Sequence, residues 1–158
     1  MTGTLGDAAA GFLDGHPLGL GWLRRPQPPV SFGAALGLHG LAHAMMDLSD
    51  GLSRDLARLC QASGVGALVD PALLPAGPPL ADLPASARLA RQVAFGDDYQ
   101  LLFAAAPGDA PAIQALAAAH DLLVTRVGQL VADGGPRLLG QPWPAALFDH
   151  FPPGVSPS

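Results

Sequence analysis

His43-Ala44-Met45-Met46-Asp47-Leu48-Ser49-Asp50-Gly51-Leu52-Ser53-Arg54-Asp55-Leu56-Ala57-Arg58-Leu59-Cys60-Gln61-Ala62-Ser63-Gly64 changes its hydrophobic period in the middle. His43 to Leu48 reads as a short buried strand bearing Met46 and Leu48. After the joint, Leu52, Leu56, Leu59, Cys60 and Ser63 recur at helical spacing, and Gly64 supplies a C-terminal stop. Two carboxylates and a hydroxyl, Asp47, Asp50 and Ser49, crowd the turn between strand and helix. The unpaired backbone N–H groups of a first helical turn carry partial positive charge and can face a phosphate. Carboxylates three residues apart offer the hard oxygen donors that magnesium prefers. The same residues also suit a plain helix cap, so the pentapeptide alone leaves both readings open. Arg54 and Arg58 fall on the outer helical face and read as solvated. Cys60 sits in the apolar stripe and reads as a small buried hydrophobe. As the only cysteine, it has no partner within the chain for a disulfide.

Working outward, Thr2 to Gly11 is glycine-rich and turns helical towards Leu13. A surface connection with a short helix around Leu18–Leu23 leads to the Pro26-Gln27-Pro28-Pro29 cluster. A further helix is expected from Ser31, as N-cap, to Leu41. Beyond Gly64 the sequence predicts a strand over Val65–Val69, a proline-rich loop to Pro84 and a helix over Ala85–Val93 ending at Gly96. Tyr99–Ala105 then reads as a strand, Pro107–His120 as an alanine-rich helix burying Ile113 and Leu116, and Leu122–Val127 as a strand. Gly128–Leu139 reads as strand, Gly-Gly turn and strand. Helices and strands alternate without a strict βαβ rhythm, which predicts an α+β fold, a mixed β-sheet packed with α-helices, over a doubly wound sheet. Residues 1–151 are expected to form one domain and 152–158 a loose tail.

The composition narrows the function. Hydrophobic residues make up 49% of the 158 and charged residues 13%, too apolar a balance for intrinsic disorder. The net charge is −5, lysine is absent and the eight arginines are scattered, so no nucleic-acid surface is expected. A phosphate loop of the Gly-Lys-Ser/Thr kind is excluded, because it requires a lysine. No apolar run approaches the ~20 residues of a membrane span and no basic-then-apolar leader opens the chain, which points to the cytoplasm.

Gly96-Asp97-Asp98-Tyr99 is a second acidic turn at an element boundary, and taken alone it reads as solvated loop. Its order with the other motifs is more specific. Met46 to Leu56, Ser63-Gly64-Val65-Gly66-Ala67, Leu74-Pro75, Gly96 to Phe103 and Asp149-His150-Phe151 resemble, in that order, the C-terminal half of bacterial thiamine-monophosphate kinases. Thr2 to Gly11 is similar to a Gly-Thr-x-Gly-Asp-x-Ala-x-Gly segment of the same family. The resemblance implies the C-terminal domain of the aminoimidazole-ribonucleotide synthetase superfamily, packed in family members on an N-terminal nucleotide-binding domain that also forms the dimer. It implies transfer of the γ-phosphoryl of ATP to thiamine monophosphate with Mg2+, and no protein nucleophile or other catalytic side chain. By position it makes Asp47 and Asp50 magnesium ligands and Ser49 an ATP-phosphate contact. Asp97 becomes a contact to thiamine monophosphate and Phe148 an aromatic packed on that substrate. His150 reads as structural.

The chain also departs from the family pattern. Asp97 replaces a glutamate and is one methylene shorter, which weakens a direct hydrogen bond or calls for a water. Phe95 replaces a glycine and is expected to alter the turn or narrow the pocket. Phe148 stands where tyrosine is common, and Pro29 takes the place of an arginine. Family members are roughly twice this length. The expectation is therefore an isolated or truncated C-terminal half, lacking the first strand and the N-terminal nucleotide-binding domain, with an open sheet edge and little turnover alone. Two alternatives are carried: a related ATP-using synthetase of the superfamily, and a non-catalytic interaction domain that docks on a separate N-terminal half or a homodimer partner.

Overall fold

The structure, a computed structural model, describes residues 1–132 and 134–144. The described elements run α1 (Asp7–Asp14), α2 (Pro17–Arg24), α3 (Val30–Leu38), β1 (Ala44–Leu48), α4 (Leu52–Ser63), β2 (Gly66–Val69), α5 (Ala85–Ala94), β3 (Gln100–Ala104), α6 (Ala110–Ala119), β4 (Gly128–Val131) and β5 (Pro136–Leu138). This is the α+β arrangement the hydrophobic periods predict.

β1 pairs antiparallel with β3, placing Asp47 opposite Leu101 and Leu48 opposite Gln100. Alternation along β1 turns Met46 and Leu48 inward and leaves Met45 and Asp47 exposed, as a period of two requires. The far edge of β3 is held by the chain's opening residues. The Thr2 N–H donates to the Leu101 carbonyl at 2.9 Å, and the Leu101 N–H returns a bond to the Thr2 hydroxyl at 2.8 Å. The other edge of β1 has no strand beside it among the described residues. In the second sheet the order is β4-β2-β5, with β4 antiparallel and β5 parallel to β2.

Helix α4 packs between these sheets. Leu52, Leu56 and Cys60 are buried in one cluster with Leu48, Val69, Val93, Leu102 and Leu138. Removing a leucine side chain of this kind from water stabilises the fold by roughly 1.5–3 kcal/mol. Gly64 ends the helix in the left-handed region at φ 65°, with its N–H bonded to the Cys60 and Gln61 carbonyls. Cys60 is buried, and burial pushes its thiol up, as suits a core hydrophobe. A separate cluster joins Phe32 and Leu36 of α3 to Ile113 and Ala117 of α6.

Three expectations about elements need correction. α3 begins at Val30 behind Pro29, so Ser31 lies within the first turn and caps nothing; its hydroxyl stands 3.3 Å from His120 Nδ1 instead. Leu122–Val127 makes no strand, only one antiparallel bridge between Val124 and Thr2, because the opening residues beside it are already bonded to β3. The Gly-Gly turn does not close a hairpin. Gly134 and Gly135, both at positive φ, carry the chain across so that β4 and β5 take opposite edges of β2. Satisfying both edges of that short strand outweighs pairing the flanking strands with each other.

Candidate functional site

The two acidic turns, almost fifty residues apart in sequence, meet backbone to backbone. The Asp97 N–H donates to the Ser49 carbonyl at 3.0 Å and the Tyr99 N–H to the Leu48 carbonyl at 2.9 Å, extending the β1–β3 ladder through both turns. Two glycines make this approach possible. A Cβ on Gly96 would overlap the Ser49 carbonyl oxygen, and one on Gly51, at φ 100°, would stand 2.7 Å from the Phe95 carbonyl oxygen. Asp97 itself sits at φ 65°, a region aspartate tolerates, and Tyr99 at φ 50°, which a bulky residue adopts only under constraint. Asp47, Ser49, Asp50 and Asp97 are thereby set on one connected rim.

Neither Ser49 nor Asp50 caps α4. The N-cap position is Gly51, with no side-chain cap bond. The capping runs in reverse: the carboxylate of Asp55, inside the first turn, accepts the Asp50 N–H at 2.9 Å. The plain helix-cap reading of the pentapeptide therefore fails, and the side chains of Ser49 and Asp50 are not spent on the helix start. Arg58 lies on the exposed helix face as expected, with a side chain 58% exposed, and it is also ion-paired. Its Nη1 pairs with Asp50 Oδ2 and reaches Asp55 Oδ1 at 3.0 Å. Burial raises the Asp55 carboxyl, the bond from Asp50 N–H pulls it back, repulsion from Asp50 raises it, Arg58 opposes that rise, and Asp47 adds to it. The fields of all three carboxylates thus overlap at this edge.

Asp98 was missed. Its carboxylate accepts the Gly6 N–H at 2.7 Å and the Ala8 N–H at 3.2 Å, so the second acidic turn binds the N-terminus of α1. Burial drives its carboxyl up to about 7, against the pull of those two bonds, and repulsion from Asp7 and Asp97 adds to the rise. The available signal was α1 itself, a helix opening Gly6-Asp7-Ala8 with no side-chain cap of its own. Asp7 lies in the same region, its carboxylate accepting the Thr4 hydroxyl proton, with burial raising its carboxyl too. Phe95 has an extended backbone, and its ring is buried against Ala8 and Ala9, 5.6 Å from the Phe12 ring. Any residue adopts that φ, so the family's glycine is not needed for conformation at this position.

A hard cation fits the donor set at this rim. Asp47 is exposed and the Asp50 side chain is 30% accessible, and both offer carboxylate oxygens. Among the described residues no three His, Cys or Asp side chains gather as a metal cage, so what these residues offer is part of a coordination shell. Magnesium commonly takes only one or two carboxylates and fills the rest with water and phosphate oxygens. Phe148 and the Asp149-His150-Phe151 ending lie outside the described residues.

Residues 8–141 match the family described as AIR synthase related protein, C-terminal domain. The thiamine-monophosphate kinase of Halobacterium salinarum is 39% identical over 137 residues, which cover 85% of this chain and 46% of the relative. The thiamine-monophosphate kinase structure from Stenotrophomonas maltophilia K279a superposes with a TM-score of 0.78 at 35% identity, covering 89% of this chain and 49% of that one. A structure described as AaThiL complexed with AMPPCP and TMP superposes with a TM-score of 0.71 at 27% identity, over 95% and 50% of the two chains. The chain spans about half the length of the relatives it matches.

Proposed function

We propose, on the premise that the chain belongs to the AIR synthase related protein family as its C-terminal domain, that it supplies the acidic edge of a thiamine-monophosphate kinase site. The reaction passes the γ-phosphoryl group of ATP to thiamine monophosphate. A phosphate oxygen of thiamine monophosphate forms the new bond to the γ-phosphorus, the bond to the β–γ bridging oxygen breaks, and thiamine diphosphate and ADP leave. The observation that carries the proposal is the backbone clamp between the two acidic turns, which sets Asp97 beside Ser49 and Asp50. The names of the similar kinases and the AMPPCP and TMP complex support the choice of substrates.

Asp47 and Asp50 hold Mg2+, which when bound neutralises charge on the transferring phosphoryl group. Ser49 contacts an ATP phosphate and Asp97 the thiamine monophosphate, with Phe148 packed on the latter. Transfer of this kind depends on positioning and electrostatics, so a rim of carboxylates held rigidly by backbone bonds is a sufficient contribution. We read residues 1–151 as one domain that works with a nucleotide-binding half, in the cytoplasm. No helix of the described residues is long and apolar enough to cross a membrane.

The test is a melting-temperature titration with Mg2+ and AMPPCP of the wild type, Asp47→Asn and Asp50→Asn. Mg2+ with nucleotide is expected to raise the midpoint of the wild type and not of the variants. Equal responses from all three would overturn the metal assignment. With ATP, Mg2+ and thiamine monophosphate, turnover is expected only once a nucleotide-binding half is added, and multiple turnovers by the chain alone would refute the half-site reading. A second reading, a docking domain without catalysis, is favoured by the apolar side chains that α1 to α3 expose, Phe12, Leu18, Trp22, Val30 and Leu38. Co-purification with a nucleotide-binding half that yields no turnover would select it.

A further inference from the structure

Asp50 is held from two sides by groups of very different freedom. Its backbone N–H is fixed to Asp55 Oδ2 at 2.9 Å, and the Asp55 side chain is fully buried. Its carboxylate Oδ2 is held by Arg58 Nη1, whose side chain is 58% exposed. The same Nη1 reaches Asp55 Oδ1 at 3.0 Å, closing a ring of three residues between the turn before α4 and its first two turns. The buried carboxylate is the anchor of this ring and the guanidinium its movable member.

An exposed arginine has several rotatable bonds and a weakly hydrated head, so it can leave one carboxylate oxygen while its neighbour stays in place. A magnesium-sized cation needs its oxygen ligands at about 2.0–2.1 Å in near-octahedral directions. A guanidinium already seated on Asp50 Oδ2 blocks one such direction and repels the incoming charge. We propose that Arg58 is a resident counter-cation that competes with the divalent cation for the Asp50 carboxylate and so sets the cation affinity of this edge. The proposal rests on the reading of Asp50 as a metal ligand, and it assigns to Arg58 a role distinct from a helix-surface staple.

The test uses Mn2+ alone as probe, titrated into the wild type, Arg58→Gln, Arg58→Lys, Asp50→Asn and the Arg58→Gln/Asp50→Asn pair, with free Mn2+ followed by electron paramagnetic resonance. Removing a competing surface ion pair is expected to tighten Mn2+ binding roughly two- to five-fold in Arg58→Gln. Arg58→Lys, which keeps the charge and loses the fork, is expected to fall between it and wild type. In the Asp50→Asn background the gain from Arg58→Gln should vanish. A surface staple predicts the opposite pattern: a lower melting temperature for Arg58→Gln with Mn2+ affinity unchanged or weaker. That result, with Asp50→Asn still weakening binding, overturns the role of Arg58 and leaves the metal reading intact. Equal Mn2+ binding by wild type and Asp50→Asn, or none by any chain, overturns both.

Discussion

Replacing Gly96 by alanine tests the joint on which the site depends. The added Cβ would overlap the Ser49 carbonyl oxygen, stand 2.8 Å from the Ser49 carbonyl carbon and 2.9 Å from Asp50 Cα. All three are backbone atoms and have no rotamer by which to retreat, so the turns must part. Overpacking of this kind costs about 1–3 kcal/mol. Loss of the Asp97-to-Ser49 bond, and strain on the Tyr99-to-Leu48 bond, add about 1 kcal/mol. A total of roughly 2–4 kcal/mol corresponds to a fall of about 4–16 °C in the melting temperature of a domain this size. The assay is a thermal melt with native-state hydrogen exchange at the Asp97 and Tyr99 amides, both expected to lose protection. Gly37→Ala is the matched control, because nothing lies within 4 Å of its added Cβ inside α3, and it should be neutral or stabilising by up to about 1 kcal/mol. If Gly96→Ala melts with the wild type and keeps both amides protected, the two acidic turns do not touch and the proposed rim does not exist.

Other perturbations separate the supporting interactions. The Asp98 carboxyl is raised to about 7, so between its ordinary value of 3.8 and about 7 the folded chain holds a proton that the unfolded chain has lost. Stability therefore falls as pH rises through that window, and melts of Asp98→Asn should show a shallower decline than wild type; superimposable slopes would refute the burial of that carboxyl. Asp55→Ala strands the Asp50 N–H and should cost about 1–3 kcal/mol in urea denaturation, while an unchanged midpoint would show that the reverse cap contributes nothing. Leu52→Ala, at a fully buried position beside the site, should cost about 2–5 kcal/mol. Leu38→Ala, at 87% exposure, should leave the midpoint within about 0.5 kcal/mol, and equal losses for the two would contradict the assignment of the core.

The sequence alone determined the local elements around the joint. Periods of two and 3.6 residues placed β1 and α4 to within a residue, and Gly64 marked the helix end because its left-handed conformation disfavours other residues. It also brought the acidic turns to element boundaries and pointed to the right family, because ordered motifs survive without any knowledge of contacts. Tertiary structure alone decided which groups those turns meet. No periodicity reveals that β4 and β5 choose opposite edges of β2, or that residues before Asp7 close the edge of β3, because strand pairing between distant segments is settled by competition for unsatisfied backbone groups. The same holds for charge. Asp98 reads as one of two solvated neighbours until the fold brings α1 to it, and the partners of Arg58, a surface residue in sequence and structure alike, emerge only when α4 sets it one turn from Asp55 and beside Asp50. A side chain's protonation and partners belong to the environment that folding builds around it, which local sequence leaves open.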